Sequence, residues 1–145
     1  MTAVKSFATV TIAALFAGCS GAASVEEGMF FPTWGADGAV PAAIVQGELV
    51  ENDDCLFLKN DGERTLVAWE DGMGFEDGAL LDVGGAPIAQ VGETIHGGGG
   101  YYGNLDHFES TSGEAVPERC VPPGGDVPDG DRFAIIYDVQ AGPFE

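Results

Sequence analysis

From residue 41 onward, apolar residues come in runs of about four to eight, each closed by Gly, Pro, Asp or Asn. Such runs suit half-buried strands and leave no room for an amphipathic helix of ordinary length. The 23 glycines and 8 prolines punctuate the pattern. Strands are expected at residues 42–51 (AAIVQGELVE), 55–60 (CLFLKN), 64–70 (RTLVAWE), 79–83 (ALLDV), 87–91 (PIAQV), 93–96 (ETIH) and 132–139 (RFAIIYDV). Asp61-Gly62 is a strong hairpin signal between the second and third, and Gly84-Gly85 joins the fourth and fifth. Within 64–70, Thr65, Val67 and Trp69 share one face while Leu66 and Ala68 share the other. Both faces are largely apolar, as expected when short strands curl around a small core. The fold class read from this pattern is all-β: a small antiparallel β-barrel, which removes exposed edges, or a compact sandwich.

The first residues follow different rules. Lys5 and the α-amino group precede the uncharged segment 7–16, FATVTIAALF. Ten apolar residues are too few to span a bilayer as a helix but suit the core of a signal peptide. The segment ends in Phe16-Ala17-Gly18-Cys19, which resembles the bacterial lipobox, with Phe16 where Leu is usual. In a lipobox, small residues admit the peptidase and the cysteine thiol takes a diacylglycerol. The expected organisation is a lipoprotein signal peptide over 1–18, forming an N-terminal signal helix. The lipidated Cys19 and a flexible tether follow over 19–40, and one β-barrel domain occupies 41–145. The alternative is an ordinary secretory signal cleaved near Ala22-Ala23.

The chain has three cysteines, and an odd number in an exported protein needs explaining. If Cys19 carries lipid, Cys55 and Cys120 remain, and an oxidising compartment favours a disulfide between them; two unbonded thiols are the alternative. No C-x-x-C spacing suggests a structural zinc site. Net charge is −19, and loss of Lys5 with the leader makes it −20. Phosphate binding needs Lys and Arg to neutralise it, so nucleic acid is excluded as a partner. Anionic headgroups are repelled likewise, leaving membrane contact to the acyl anchor (diacylglycerol or palmitate). The acids read as a solvated surface. Asp126, Asp129 and Asp131 have carboxylate chemistry suited to calcium, but no D-x-[DN]-x-[DN]-G loop is present.

The order GELVENDDCLFL, TLVAWEDG, PIAQVGETIHGGGG and ERC resembles a group of uncharacterised bacterial secreted and lipid-anchored proteins. The matching positions are Gly47, Leu49, Cys55, Leu56, Trp69, Ala89, Val91, Gly92, Glu93, Gly97 to Gly100 and Cys120, within residues 44–121. At WEDG the group would have Trp-Pro. The resemblance implies export, a disulfide and a small OB-like barrel, but no activity. OB barrels bind oligonucleotides or oligosaccharides, and the charge here speaks against the former only.

The stretch 96–107, HGGGGYYGNLDH, invites several readings. An HGGG oxyanion loop needs a G-x-S-x-G elbow, and none occurs. A G-x-G-x-x-G dinucleotide loop needs a following helix and a parallel strand, which the pattern does not offer. His96, Asp106 and His107 have the donor chemistry of a transition-metal site. The plainest reading is a glycine-permitted strand exit, with Tyr101, Tyr102 and His96 as a candidate rim for a polar ligand such as a sugar. The resulting expectation is a monomeric, lipid-anchored module of the bacterial cell envelope, facing outside the cytoplasm. It is non-enzymatic and cofactor-free, and it binds an envelope protein or a small polar molecule. The alternative is a metal-binding protein using His96, Asp106 and His107.

Overall fold

In the computed structural model, which describes residues 23–35, 40–123 and 132–145, the chain is mostly β with one α-helix. Three strands follow one another as antiparallel neighbours: β2 (Ala43–Asn52), β3 (Cys55–Asn60) and β4 (Glu63–Glu70), preceded by the short β1 (Thr33–Trp34). A small sheet then forms from β5 (Gly74–Glu76), β6 (Ala79–Leu81) and β7 (Pro87–Gln90). The chain returns as β8 (Thr94–Tyr102) beside β2, which gives the spatial order of a Greek key. After the helix α1 (Leu105–Ser112), β9 (Phe133–Ala141) enters between β8 and β4 and closes a ring of five strands.

The expected strands 42–51, 55–60, 64–70, 87–91 and 132–139 all match observed ones within a few residues, and β6 covers the start of 79–83. The expectation of an antiparallel barrel needs correction. β4 and β9 run parallel, pairing Leu66 with Phe133 and Ala68 with Ile135, and β1 is parallel to β4. The ring itself requires this, because five strands in a closed circle cannot all alternate in direction.

Tight turns set the register. Asp61-Gly62 joins β3 to β4 with φ values of 48° and 83°, the left-handed pair of a type I′ hairpin. Asp77-Gly78 joins β5 to β6 in the same way, at 51° and 75°. Asp53-Asp54, at 52° and 57°, joins β2 to β3, where the short polar side chain makes the left-handed region tolerable. Between β6 and β7, Asp82 accepts hydrogen bonds from the backbone N–H of Gly84 and Ala86, both 2.9 Å.

The side chains separate into two apolar layers. Inside the ring lie Val45, Leu49, Leu56, Leu58, Val67, Trp69, Ile95, Ala134 and Ile136. Met73, Phe75, Leu80 and Ala89 cover one end of this core from the small sheet. Outside β3, β4 and β9 lies a second layer of Phe57, Leu66, Ala68, Phe133 and Ile135, covered by Phe108 of α1 and by Cys120. The two-sided apolar pattern of 64–70 follows from this, since β4 is buried on both faces.

Helix α1 was not expected from the sequence. Asn104 caps its start, its Oδ1 accepting from the His107 N–H at 3.2 Å. Gly113 ends it at φ 73°, donating to the Glu109 carbonyl. Between these caps only Phe108 is buried, so the helix follows from its ends and one anchor rather than from an apolar stripe.

The expected tether over 19–40 also needs correction. Residues 23–35 belong to the domain. The Phe75 N–H donates to the Ser24 carbonyl and the Glu26 N–H to the Phe75 carbonyl, both 2.9 Å. Phe31 stacks on Trp69 with ring centres 5.6 Å apart and planes 8° apart. Trp34 is buried and donates its indole N–H to the Ile136 carbonyl at 3.0 Å. Aromatic burial of this size outweighs the freedom of a loose linker. The signal helix over 1–18, Cys19 and the acids Asp126, Asp129 and Asp131 lie outside the described residues.

Candidate functional site

The four glycines that suggested a loop are the middle of a strand. Gly97, Gly98 and Gly99 pair with Val45, Ile44 and Ala43 of β2 on one side, and Gly98, Gly99 and Gly100 pair with Tyr137, Ile136 and Ile135 of β9 on the other. A Cβ on Gly97 would lie 2.5 Å from the Tyr137 carbonyl oxygen. On Gly98 it would strike the Tyr137 ring, on Gly99 the Ile135 carbonyl oxygen, and on Gly100 the Pro41 side chain at 2.9 Å. Close approach, of neighbouring backbone at Gly97 and Gly99 and of side chains at Gly98 and Gly100, is what selects glycine here.

Tyr137 completes this arrangement. Its ring covers Gly98, the cross-strand partner without a side chain, and its hydroxyl donates to the Pro41 carbonyl at 3.0 Å. Trp34 meets the same ring edge-on at 6.1 Å. An aromatic laid over a glycine in the neighbouring strand recovers the packing that the glycine forgoes.

The candidate metal ligands do not converge. His96 lies near the start of β8 and His107 lies beyond its end, so six strand residues, about 20 Å at 3.3 Å each, separate His96 from Tyr102 alone. The His96 Nδ1–H donates to the Gly142 carbonyl at 2.8 Å, and its ring meets Phe144 edge-on at 5.6 Å. His107 packs against Tyr102 with ring centres 4.6 Å apart and planes tilted by 35°. Asp106 is exposed in the first turn of α1. Among the described residues no group of three His, Cys, Asp or Glu is placed to hold a metal ion. Thermal unfolding with EDTA and with saturating zinc is therefore expected to give one midpoint, because an ion without a native site has no linkage to folding. A zinc-dependent rise that His96→Ala removes would contradict this arrangement.

The candidate ligand rim divides in the same way. Tyr102 packs into the outer layer, Tyr101 packs against the ring core, and His96 is at the other end of the strand. Among the described residues, the depressions open to solvent include two near these strands. One, of about 440 Å³, is lined by His96, Gln140 and the segment from Ala141 to Glu145. The other, of about 250 Å³, lies between Glu70, Met73, Asp82, Val83, Ile88, Asp138 and Val139. Neither gathers a nucleophile with a base and an anion-stabilising donor, the minimum for covalent catalysis.

The disulfide is formed. Cys55 and Cys120 are bonded, with their Cα atoms 5.5 Å apart and both residues fully buried. Cys120 ends a 3-10 turn (Glu118–Cys120), so the bond ties the connection between α1 and β9 to the first residue of β3. Arg119 strengthens the tie, donating from Nε to the Asp53 carbonyl at 3.0 Å. No helix among the described residues is long and apolar enough to cross a membrane. Compared with protein-family models, with curated proteins and with solved structures, the chain matches none.

Proposed function

We propose that this protein is a lipid-anchored, non-enzymatic accessory module of the bacterial cell envelope, carried on Cys19 and facing outside the cytoplasm. The observation that carries the reading is the Cys55–Cys120 bond. Of the three cysteines in the chain, two are joined to each other, and the third is the one that ends the lipobox-like segment. A disulfide also suits an oxidising compartment outside the cytoplasm.

The barrel is read as OB-like, supported by the five-stranded Greek-key ring. OB barrels bind ligands on the face of their second and third strands, between the loops after strands one and four. Those parts here correspond to β3 and β4, the Asp53-Asp54 turn and the connection 103–132. That face is filled by the chain's own Phe108 and Cys120, and the disulfide joins the 103–132 connection to β3 at the Asp53-Asp54 turn. A sugar or oligonucleotide in the usual cleft is therefore disfavoured, and a protein partner in the envelope is the better fit. The charge of −20 left after removal of the leader speaks against nucleic acid for an independent reason.

The test is the mass and location of the mature chain made in a bacterial host. The expected product begins at Cys19, carries a diacylglycerol and fractionates with membranes. The Cys19→Ser variant is expected to lose the lipid and leave the membrane fraction. A soluble product beginning at Ala23 would replace this reading with simple secretion.

A further inference from the structure

The anchor reading, combined with the packing of residues 23–35, has a geometric consequence. We infer that the domain stands directly on the bilayer in one orientation, with the β5–β7 sheet against the headgroups and the Asp61-Gly62 turn pointing away. The inference rests on Cys19 being the lipid-bearing residue. Only residues 20–22 separate Cys19 from Ala23. Four Cα-to-Cα steps reach at most about 14 Å. A domain of this length has a radius of gyration of roughly 14 Å and is therefore more than twice that across. The link is too short for the domain to turn over or stand clear of the surface.

The point where the link meets the domain is fixed. Val25 pairs with Phe75 of β5, flanked by the two hydrogen bonds of Ser24 and Glu26 to the Phe75 backbone. Ser24 also donates its hydroxyl to Glu76. A Cβ on Gly74 would collide with the Ser24 carbonyl and Ala23, so the fit of the incoming chain against β5 is close. Two exposed apolar residues flank the small sheet here, Val25 at 41% and Val91 at 40%, while Val83, at 53%, lies in the β6–β7 turn. Val91 directly follows β7 and is held to the β5–β6 turn, its N–H donating to the Gly78 carbonyl at 2.9 Å. The Asp61-Gly62 turn is the far end of β4, eight strand residues away, about 26 Å at 3.3 Å each.

The surface this end meets is a zwitterionic one. Glu27, Glu76 and Asp77 are exposed beside the attachment point, and carboxylates there are repelled by anionic headgroups. The side left for an envelope partner is the opposite one, around the β3–β4 turn.

The test uses the full lipidated chain in phosphatidylcholine vesicles containing a nickel-chelating lipid. A nitroxide is placed on Val91→Cys or Glu63→Cys, both at exposed positions, and vesicle flotation is read first. The Val91 label is expected to relax severalfold faster than the Glu63 label. A Gly/Ser spacer of roughly twelve residues between Ala22 and Ala23, a flexible chain at that length, is expected to abolish the difference. Chains that float but relax equally at both labels would overturn the orientation while leaving the anchor intact. A contrast that survives the spacer would also overturn it, since the short link would not be its cause. A chain that stays in the aqueous fraction would overturn the anchor reading and the orientation with it.

Discussion

Replacing Cys55 and Cys120 together with alanine is expected to lower the stability of the domain by about 4 kcal/mol, the chain-entropy value for a closed loop of this size. The bond spans 65 residues, and the unfolded chain regains that freedom when it is removed. For a domain of this length the midpoint of thermal unfolding should fall by roughly 15 °C. The loss should also be uneven. The bond holds the 3-10 turn against β3, and Phe108 packs on Phe133 with ring centres 5.1 Å apart under the same cover. Amide hydrogen exchange should therefore speed up in α1 well before it does in β2 or β8. Because both cysteines are buried, a thiol reductant without denaturant is expected to leave the bond intact. A midpoint change of only a few degrees would mean that packing at Phe108 holds the cover without the bond.

The parts of this fold legible in the sequence are those where local chemistry and global position agree. Asp61-Gly62 favours a left-handed turn, and the runs on either side are β3 and β4. Cysteine arithmetic reached the disulfide because only two thiols remained once Cys19 was set aside. The sequence carries further signals of the same kind. Asp77-Gly78 marks the β5–β6 hairpin by the same rule as Asp61-Gly62. The apolar residues Met29, Phe30, Phe31 and Trp34, too many for a solvated linker, mark the segment that docks on Trp69. Asn104 and Gly113 bracket α1 as cap residues, although its single buried residue leaves no periodicity to find. The second half of β8 is a different case. Gly97 to Gly100 carry no side chains, so nothing local reports a strand, and its identity comes from β2 and β9 on either side. The candidate site was lost for the same reason. A loop would let His96 and His107 approach each other, whereas a strand holds them apart.

Gly99→Ala gives the sharpest measure of how much that strand depends on having no side chains, and it is expected to destabilise the domain by about 3 kcal/mol, the upper end for overpacking. The added methyl meets the Ile135 carbonyl oxygen and its carbon. Backbone cannot rotate aside as a side chain can, so β8 and β9 must separate where they complete the ring. Trimming the neighbouring Val45→Ala, whose Cγ2 would lie 3.0 Å away, should recover almost none of the loss. Gly98→Ala should behave differently, because its obstacle is the Tyr137 ring. Tyr137→Ala costs stability alone, through the Trp34 contact and the hydrogen bond to Pro41. The double variant Gly98→Ala/Tyr137→Ala should nevertheless be more stable than the sum of the two losses by about 1 kcal/mol or more, a coupling expected of residues in contact. Denaturant unfolding of the five variants beside the parent chain decides the matter. Equal, small costs at Gly98 and Gly99 would mean that β8 yields easily, and that the glycines serve flexibility rather than close approach.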